Sequence, residues 1–155
     1  MTKDNIFIEQ RIINTIREIL TGRVNELINE LPFVIPIIEF GNYSGGGSVV
    51  PIITLSTCER TEKERIIRLD AYSLTITFNL PETPDSELYC YAYSAAVEKA
   101  LSEDVTIGGI ADRAVITGKK YIQPKKPYCG EGCGVVIAMR VTVENEQLRG
   151  IKNDG

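Results

Sequence analysis

The stretch Tyr72-Ser-Leu-Thr-Ile-Thr-Phe-Asn-Leu80 alternates without a break between apolar and polar side chains. A side-chain period of two marks a β-strand with one buried and one wet face. Immediately upstream the phase reverses: Ile67, Leu69 and Ala71 are apolar, while Arg68 and Asp70 are polar. A slip of one residue carries every side chain to the other face, so a continuous strand here needs a bulge near Ala71–Tyr72. The alternative is that the first half leaves the domain and turns its apolar face toward something else. A second strand of the same kind lies near the end of the chain. There Val135, Ile137, Met139, Val141 and Val143 alternate with Ala138, Arg140, Thr142 and Glu144.

The N-terminal part reads as helix. Ile12, Ile13, Ile16, Ile19 and Leu20 recur at helical spacing opposite Gln10, Arg11, Arg17 and Glu18, and Gly22 stands where a C-terminal glycine would stop the helix. Val24, Leu27, Ile28 and Leu31 predict a second, shorter helix ended by Pro32. Phe33–Phe40, interrupted by Pro36, reads as a strand near a sheet edge. Gly41–Ser48, with glycines at 45, 46 and 47, reads as a flexible loop; no Gly-Lys-Ser/Thr follows to make it a phosphate cradle. Val49–Thr57 is a further β-type segment. The mixed-charge stretch Cys58–Arg65 reads as a solvated hairpin turn or as a polar contact rim.

Pro81–Asp104 predicts a central helix, with Thr83 capping it, Pro84 at its first position, and Asp85 and Glu87 complementing its dipole. Leu88, Tyr91, Ala92, Ala95 and Leu101 mark one face. The small residues Ala92, Ser94, Ala95 and Ala96 would let the helix lie close against a sheet, and Tyr89, Tyr91 and Tyr93 read as core and rim. Thr106–Gly118 reads as strand. Lys119–Lys126 places Lys119, Lys120, Lys125 and Lys126 on a Pro-containing loop. That loop is either a soluble hairpin tip or a local positive patch facing a polyanion. Asn145–Gly155 is a polar tail.

With 155 residues the chain is one domain, long enough for a core without staples: N-terminal helices over 5–31, a sheet with its central helix over 33–144, and a tail over 145–155. The predicted fold class is α+β, a mainly antiparallel β-sheet packed by an N-terminal helix and one central helix. A net charge of −4 gives no global electrostatic case for nucleic acid or membrane binding. No window approaches the roughly 20 apolar residues that span a bilayer. Met1–Gln10 lacks the pattern of a signal peptide, so the expected place of synthesis is the cytoplasm.

Composition also removes chemistry. The chain has no histidine, so the usual general base, the usual zinc nitrogen ligand and any Ser–His or Cys–His pair are absent. Of Cys58, Cys90, Cys129 and Cys133, only the last two are close in sequence, across Gly130-Glu-Gly132. One such pair is a poor match to a metal ribbon, and Cys90 reads as a small buried hydrophobe. No catalytic residue, cofactor or metal is expected. A small thiol or metal module using Cys129 and Cys133 stays as the rival from another class.

In order and texture the chain resembles the tail terminator, or tail-completion, proteins of tailed phages, prophages and related contractile tail particles. The likeness spans Ile12 to Glu144. It rests on an N-terminal helix, an extended pair with a charged turn over Thr57–Arg65, the strand Arg68–Leu80 ending in Leu80-Pro81, a helix of small residues, and a long hairpin through Lys119–Lys126. The resemblance implies a non-enzymatic subunit of a hexameric ring that caps the finished tail tube and presents its upper surface to a connector or collar. It further implies tail tube and sheath proteins as neighbours, DNA only as passing cargo, no membrane, and residence in a virion or tail-like particle. Glu59, Arg60, Glu62, Lys63, Glu64, Arg65, Ile67 and Leu69 are then the candidate subunit or tube interface, and Lys119, Lys120, Lys125 and Lys126 the candidate lumen or docking loop. Another neck or tube component of the same particle is the nearer alternative.

Overall fold

The computed structural model describes residues 6–41, 48–62, 67–81, 83–123 and 132–146. Helix α1 (Ile8–Ile19) runs through a single π-helical turn (Leu20–Val24) into α2 (Asn25–Asn29). Gly22 therefore does not stop the helix. The reason lies in the apolar stripe: Ile12, Ile16, Leu20, Val24 and Ile28 are all buried and all four residues apart. On a helix of about 3.6 residues per turn such a stripe drifts by about 40° per step, and one wider turn recovers part of that drift. The Asn25 side chain then clasps the backbone of Ile38, Nδ2 donating to its carbonyl at 2.9 Å and Oδ1 accepting from its amide at 2.8 Å. That clasp holds β1 (Ile37–Ile38), which pairs in parallel with β2 (Ser48–Val49). Of the segment 33–40 only these two residues are strand, Pro36 having no amide to give.

Among the described residues the main sheet holds four antiparallel strands, β3 (Ile52–Glu62), β4 (Ile67–Leu80), β5 (Arg113–Ile122) and β6 (Cys133–Glu146), in the order β3-β4-β6-β5. The fold is α+β, as its alternating strands imply. β4 pairs with β6 in one unbroken register from Ile67 to Leu80. The bulge expected near Ala71–Tyr72 is absent. It sits instead in β3 at Ser56, where Leu55 faces Leu74 and Thr57 faces Ser73.

The phase reversal has a different cause. Tyr72, Leu74, Ile76, Phe78 and Leu80 share one face and join the core with the helices, along with Val135, Ile137, Met139, Val141 and Val143 of β6. Asp70 lies on that same face, and Leu69 and Ala71 lie on the other. Among the described residues no helix covers this other face, where Ser73, Thr75, Thr77, Val136, Ala138, Arg140 and Thr142 are half-buried among their strand neighbours.

The central helix α3 is Ser86–Glu103, shorter at its start than Pro81–Asp104. Ser86 Oγ turns back to bond the carbonyl of Pro81 and to accept the amide of Thr83, and Asp85, not Thr83, is the cap residue. The buried face is Cys90, Tyr93, Ser94, Ala96, Val97, Ala100 and Leu101. Leu88, Tyr91 and Ala95 point outward, so the stripe picked from spacing is mostly the exposed one; both faces of α3 are apolar enough to be mistaken for each other. Between Asp104 and Asp112 the chain turns rather than extending. Ile107, Gly108 and Gly109 have φ of 42°, 70° and 83°, left-handed values that end any strand, and the Asp104 carboxylate accepts the amide of Gly108. The last strand runs to Glu146, past the expected start of the tail at 145.

Candidate functional site

Glu59, Arg60 and Glu62 lie within β3 rather than in a turn, because pairing with β4 carries the strand on to Glu62. Lys63, Glu64 and Arg65 are outside the described residues. Ile67 is described only by its place in the strand, opposite Glu146. Directly paired residues of antiparallel strands share a face. Glu59, Thr61, Leu69 and Ala71 therefore lie on the face that no helix covers, and Arg60, Glu62, Arg68 and Asp70 lie on the helix-bearing face beyond its apolar part.

Asp70 is the buried ion of this region, its side chain 1% exposed. Arg60 Nε donates to its Oδ1 at 3.0 Å from across the strand pair. Arg68 Nε lies 3.2 Å from the same oxygen but makes no hydrogen bond there, so that contact is charge to charge. This ionic cluster, not a bulge, is why Arg68 and Asp70 break the apolar alternation of β4. On the uncovered face Glu59 meets Arg140 of β6 at 3.5 Å.

The lysine stretch is divided. Lys119 and Lys120 belong to strand β5, since pairing with β6 continues to Ile122. They point to opposite faces: Lys119 is held by Glu98 of α3 at 2.9 Å, and Lys120 stands exposed on the uncovered face. Lys125 and Lys126 lie outside the described residues, as do Gly45–Gly47.

The cysteines regroup as well. Cys129 is not described, and the partner of Cys133 is Cys90, with Sγ atoms 3.8 Å apart in the core. Cys58 is exposed. Among the described residues no group of three or more Cys, Asp or Glu side chains is placed to hold a metal. Burial, then the neighbouring Cys133 sulfur, pushes the Cys90 thiol up to about 12. Burial likewise raises the phenols of Tyr72, with help from Glu9, and of Tyr93.

These shifts set an alkaline limit on the fold. In the unfolded chain a thiol titrates near about 8.5 and a phenol near about 10. The folded values are higher, so above about pH 9 the unfolded chain has lost protons that the folded chain keeps, and stability falls as pH rises. Urea midpoints are expected to hold level from pH 7 to about 8.5 and then to drop steadily toward pH 11. In Cys90→Ala the first part of that drop should flatten. A level profile up to pH 11 would contradict the burial of these groups.

One open cleft of about 500 Å³ lies between α2 and α3, walled by Leu27, Leu31, Phe33, Leu88, Tyr91 and Ala95, with Glu30 and Lys99 as its charged members. A smaller one of about 270 Å³ runs beside edge strand β5, among Leu101, Val105, Ala114 and Ile116. Sequence reading missed both, since each is made by segments far apart in the chain. Among the described residues no helix is long and apolar enough to cross a membrane. Compared with known proteins, the chain matches no family model and no curated relative.

Proposed function

We propose that this chain is a structural subunit of a phage-like tail, assembling as a ring, most simply a hexamer, that caps the tail tube and joins it to a connector or collar. The observation that carries the reading is a long antiparallel sheet that, among the described residues, has helices on one face only and an edge strand without a further partner strand on each side. A sheet of this kind has a free face and two free edges, which suits sharing between neighbours in a ring. The order of elements it shares with tail terminators adds to this, as a likeness of pattern. On this reading the subunit does no catalysis, and its neighbours are the tube, the sheath and the collar.

Native mass spectrometry of the purified protein, alone and mixed with open-ended tail tubes, tests the proposal. A ring seated at a tube end, with tube growth halted, is the expected result. A protein that stays monomeric, leaves tube growth unchanged and is missing from purified particles overturns it. Replacing Lys119, Lys120, Lys125 and Lys126 together by Gln should leave the fold intact, since the Lys119–Glu98 pair that is lost is half open to solvent and worth at most about 1 kcal/mol. It should weaken retention of DNA or docking to an acidic neighbouring ring. Unchanged particles with unchanged function would reduce these lysines to solvated surface.

A further inference from the structure

Among the described residues β3 and β5 are the two edges of the sheet, and these edges fit one another. We infer that β5 of one copy pairs antiparallel with β3 of the next copy, making a head-to-tail joint whose repetition closes the ring. This rests on the ring reading above and names its interface. An antiparallel sheet of four strands has edges that run in opposite directions. A neighbour brought alongside by simple rotation therefore meets β5 with a β3 running antiparallel to it, and both uncovered faces stay on the same side. The joint is heterologous, so its repetition can close.

The register supports this pairing in detail. Each edge strand carries one bulge, at Ser56 in β3 and at Thr117 in β5. Traced across the sheet, the rungs place both bulges at nearly the same height: Leu55 is level with Leu74, Met139 and Ile116. The extra residue in one edge cancels the extra residue in the other. Ile52–Glu59 and Lys120–Arg113 are consequently equal in length and span the same rungs. Against any straight strand each bulge is a mismatch, which limits unwanted partners.

Side chains agree on both faces. Glu59, Ala71, Thr142 and Arg113 form one rung on the uncovered face, so the joint sets Arg113 of one copy beside Glu59 of the next. Both are exposed, and the 3.5 Å contact of Glu59 with Arg140 leaves its carboxylate room for a second cation. β5 has Arg113, Lys119 and Lys120 and no acid, whereas β3 has Glu59 and Glu62 against Arg60 alone. On the helix-bearing face, half-buried Leu55 stands at the height of the apolar cleft beside Ala114 and Ile116.

The test is charge reversal with native mass spectrometry and light scattering, with melting curves to verify the fold. Glu59→Arg or Arg113→Glu alone should lower the oligomer population by about tenfold or more, through like charges set side by side. The two together should restore it. Independently, Glu59→Cys with Arg113→Cys, in a Cys58→Ser background, should form a reducible ladder of covalent multimers under mild oxidation by a disulfide reagent. Rings that survive both single reversals and form no ladder would overturn the joint and leave the ring reading standing. Wild-type protein that forms no ring alone or at a tube end, and no ladder in the cysteine variant, would overturn both.

Discussion

Gly134→Ala should be among the most damaging single changes in this chain. Gly134 lies in β6, opposite Asn79 of β4 and Ile122 of β5, so strands flank it on both sides. A Cβ built there would sit 2.5 Å from the carbonyl oxygen of Phe78 and 3.3 Å from Oδ1 of Asn79. The side-chain atom could swing away, but the carbonyl is held in the β4 backbone. Relief would need the central strand pair to separate where Phe78 is fully buried. A loss of about 3 kcal/mol or more is expected, at the upper end of single-residue effects, read as a collapse of the urea midpoint or as insoluble protein. Gly22→Ala is the control: a Cβ there meets nothing within 4 Å, and alanine is the better helix former by up to about 1 kcal/mol. A Gly134→Ala protein that melts with the wild type would show that β4 and β6 are not held this closely.

Tyr93→Ala should come near to unfolding the protein. The Tyr93 ring stacks on Phe78 with centroids 4.7 Å apart and planes 6° apart, tying α3 to the centre of the sheet. Its hydroxyl donates to the carbonyl of Pro36 at 2.6 Å, which ties the same helix to the segment leading into β1. Truncation removes a fully buried aromatic and leaves a cavity, at a cost of about 3–5 kcal/mol against a total stability of about 5–15 kcal/mol. Tyr93→Phe keeps the stack and loses only the hydrogen bond, for about 1 kcal/mol. Phe78→Ala should resemble Tyr93→Ala, and the double variant should cost less than the sum, since both remove one contact. Equal effects of Tyr93→Phe and Tyr93→Ala would place the value of this residue in its hydroxyl rather than its ring.

The candidate interface was only half legible before the fold was known. Charge along Cys58–Arg65 was plain, but mixed charge alone does not tell a turn from a strand edge. Pairing with β4 decided the matter as far as Glu62, because each added rung bonds backbone groups that a turn would leave to water. Lys119 and Lys120 show the same limit. As neighbours in sequence they look like one patch; as neighbours in a strand they are on opposite faces, one of them bonded to Glu98.

What the sequence by itself determined was whatever depends on a few consecutive residues. The alternations over Tyr72–Leu80 and Val135–Val143 named the two central strands and their core faces. The apolar spacings over Ile12–Leu20 and Val24–Leu31 named the N-terminal part as helix, though not its unbroken passage through Gly22, and the α+β class followed from the order of these elements. Periodicity carries that information because backbone geometry alone sets how often a side chain returns to one face. Only the tertiary structure decided which segments stand opposite one another. It moved the bulge from Tyr72 to Ser56, set Cys133 against Cys90, and aligned Glu59 with Arg113 across four strands. Residues so far apart in the chain meet through closure of the whole core, and no local spacing records that closure.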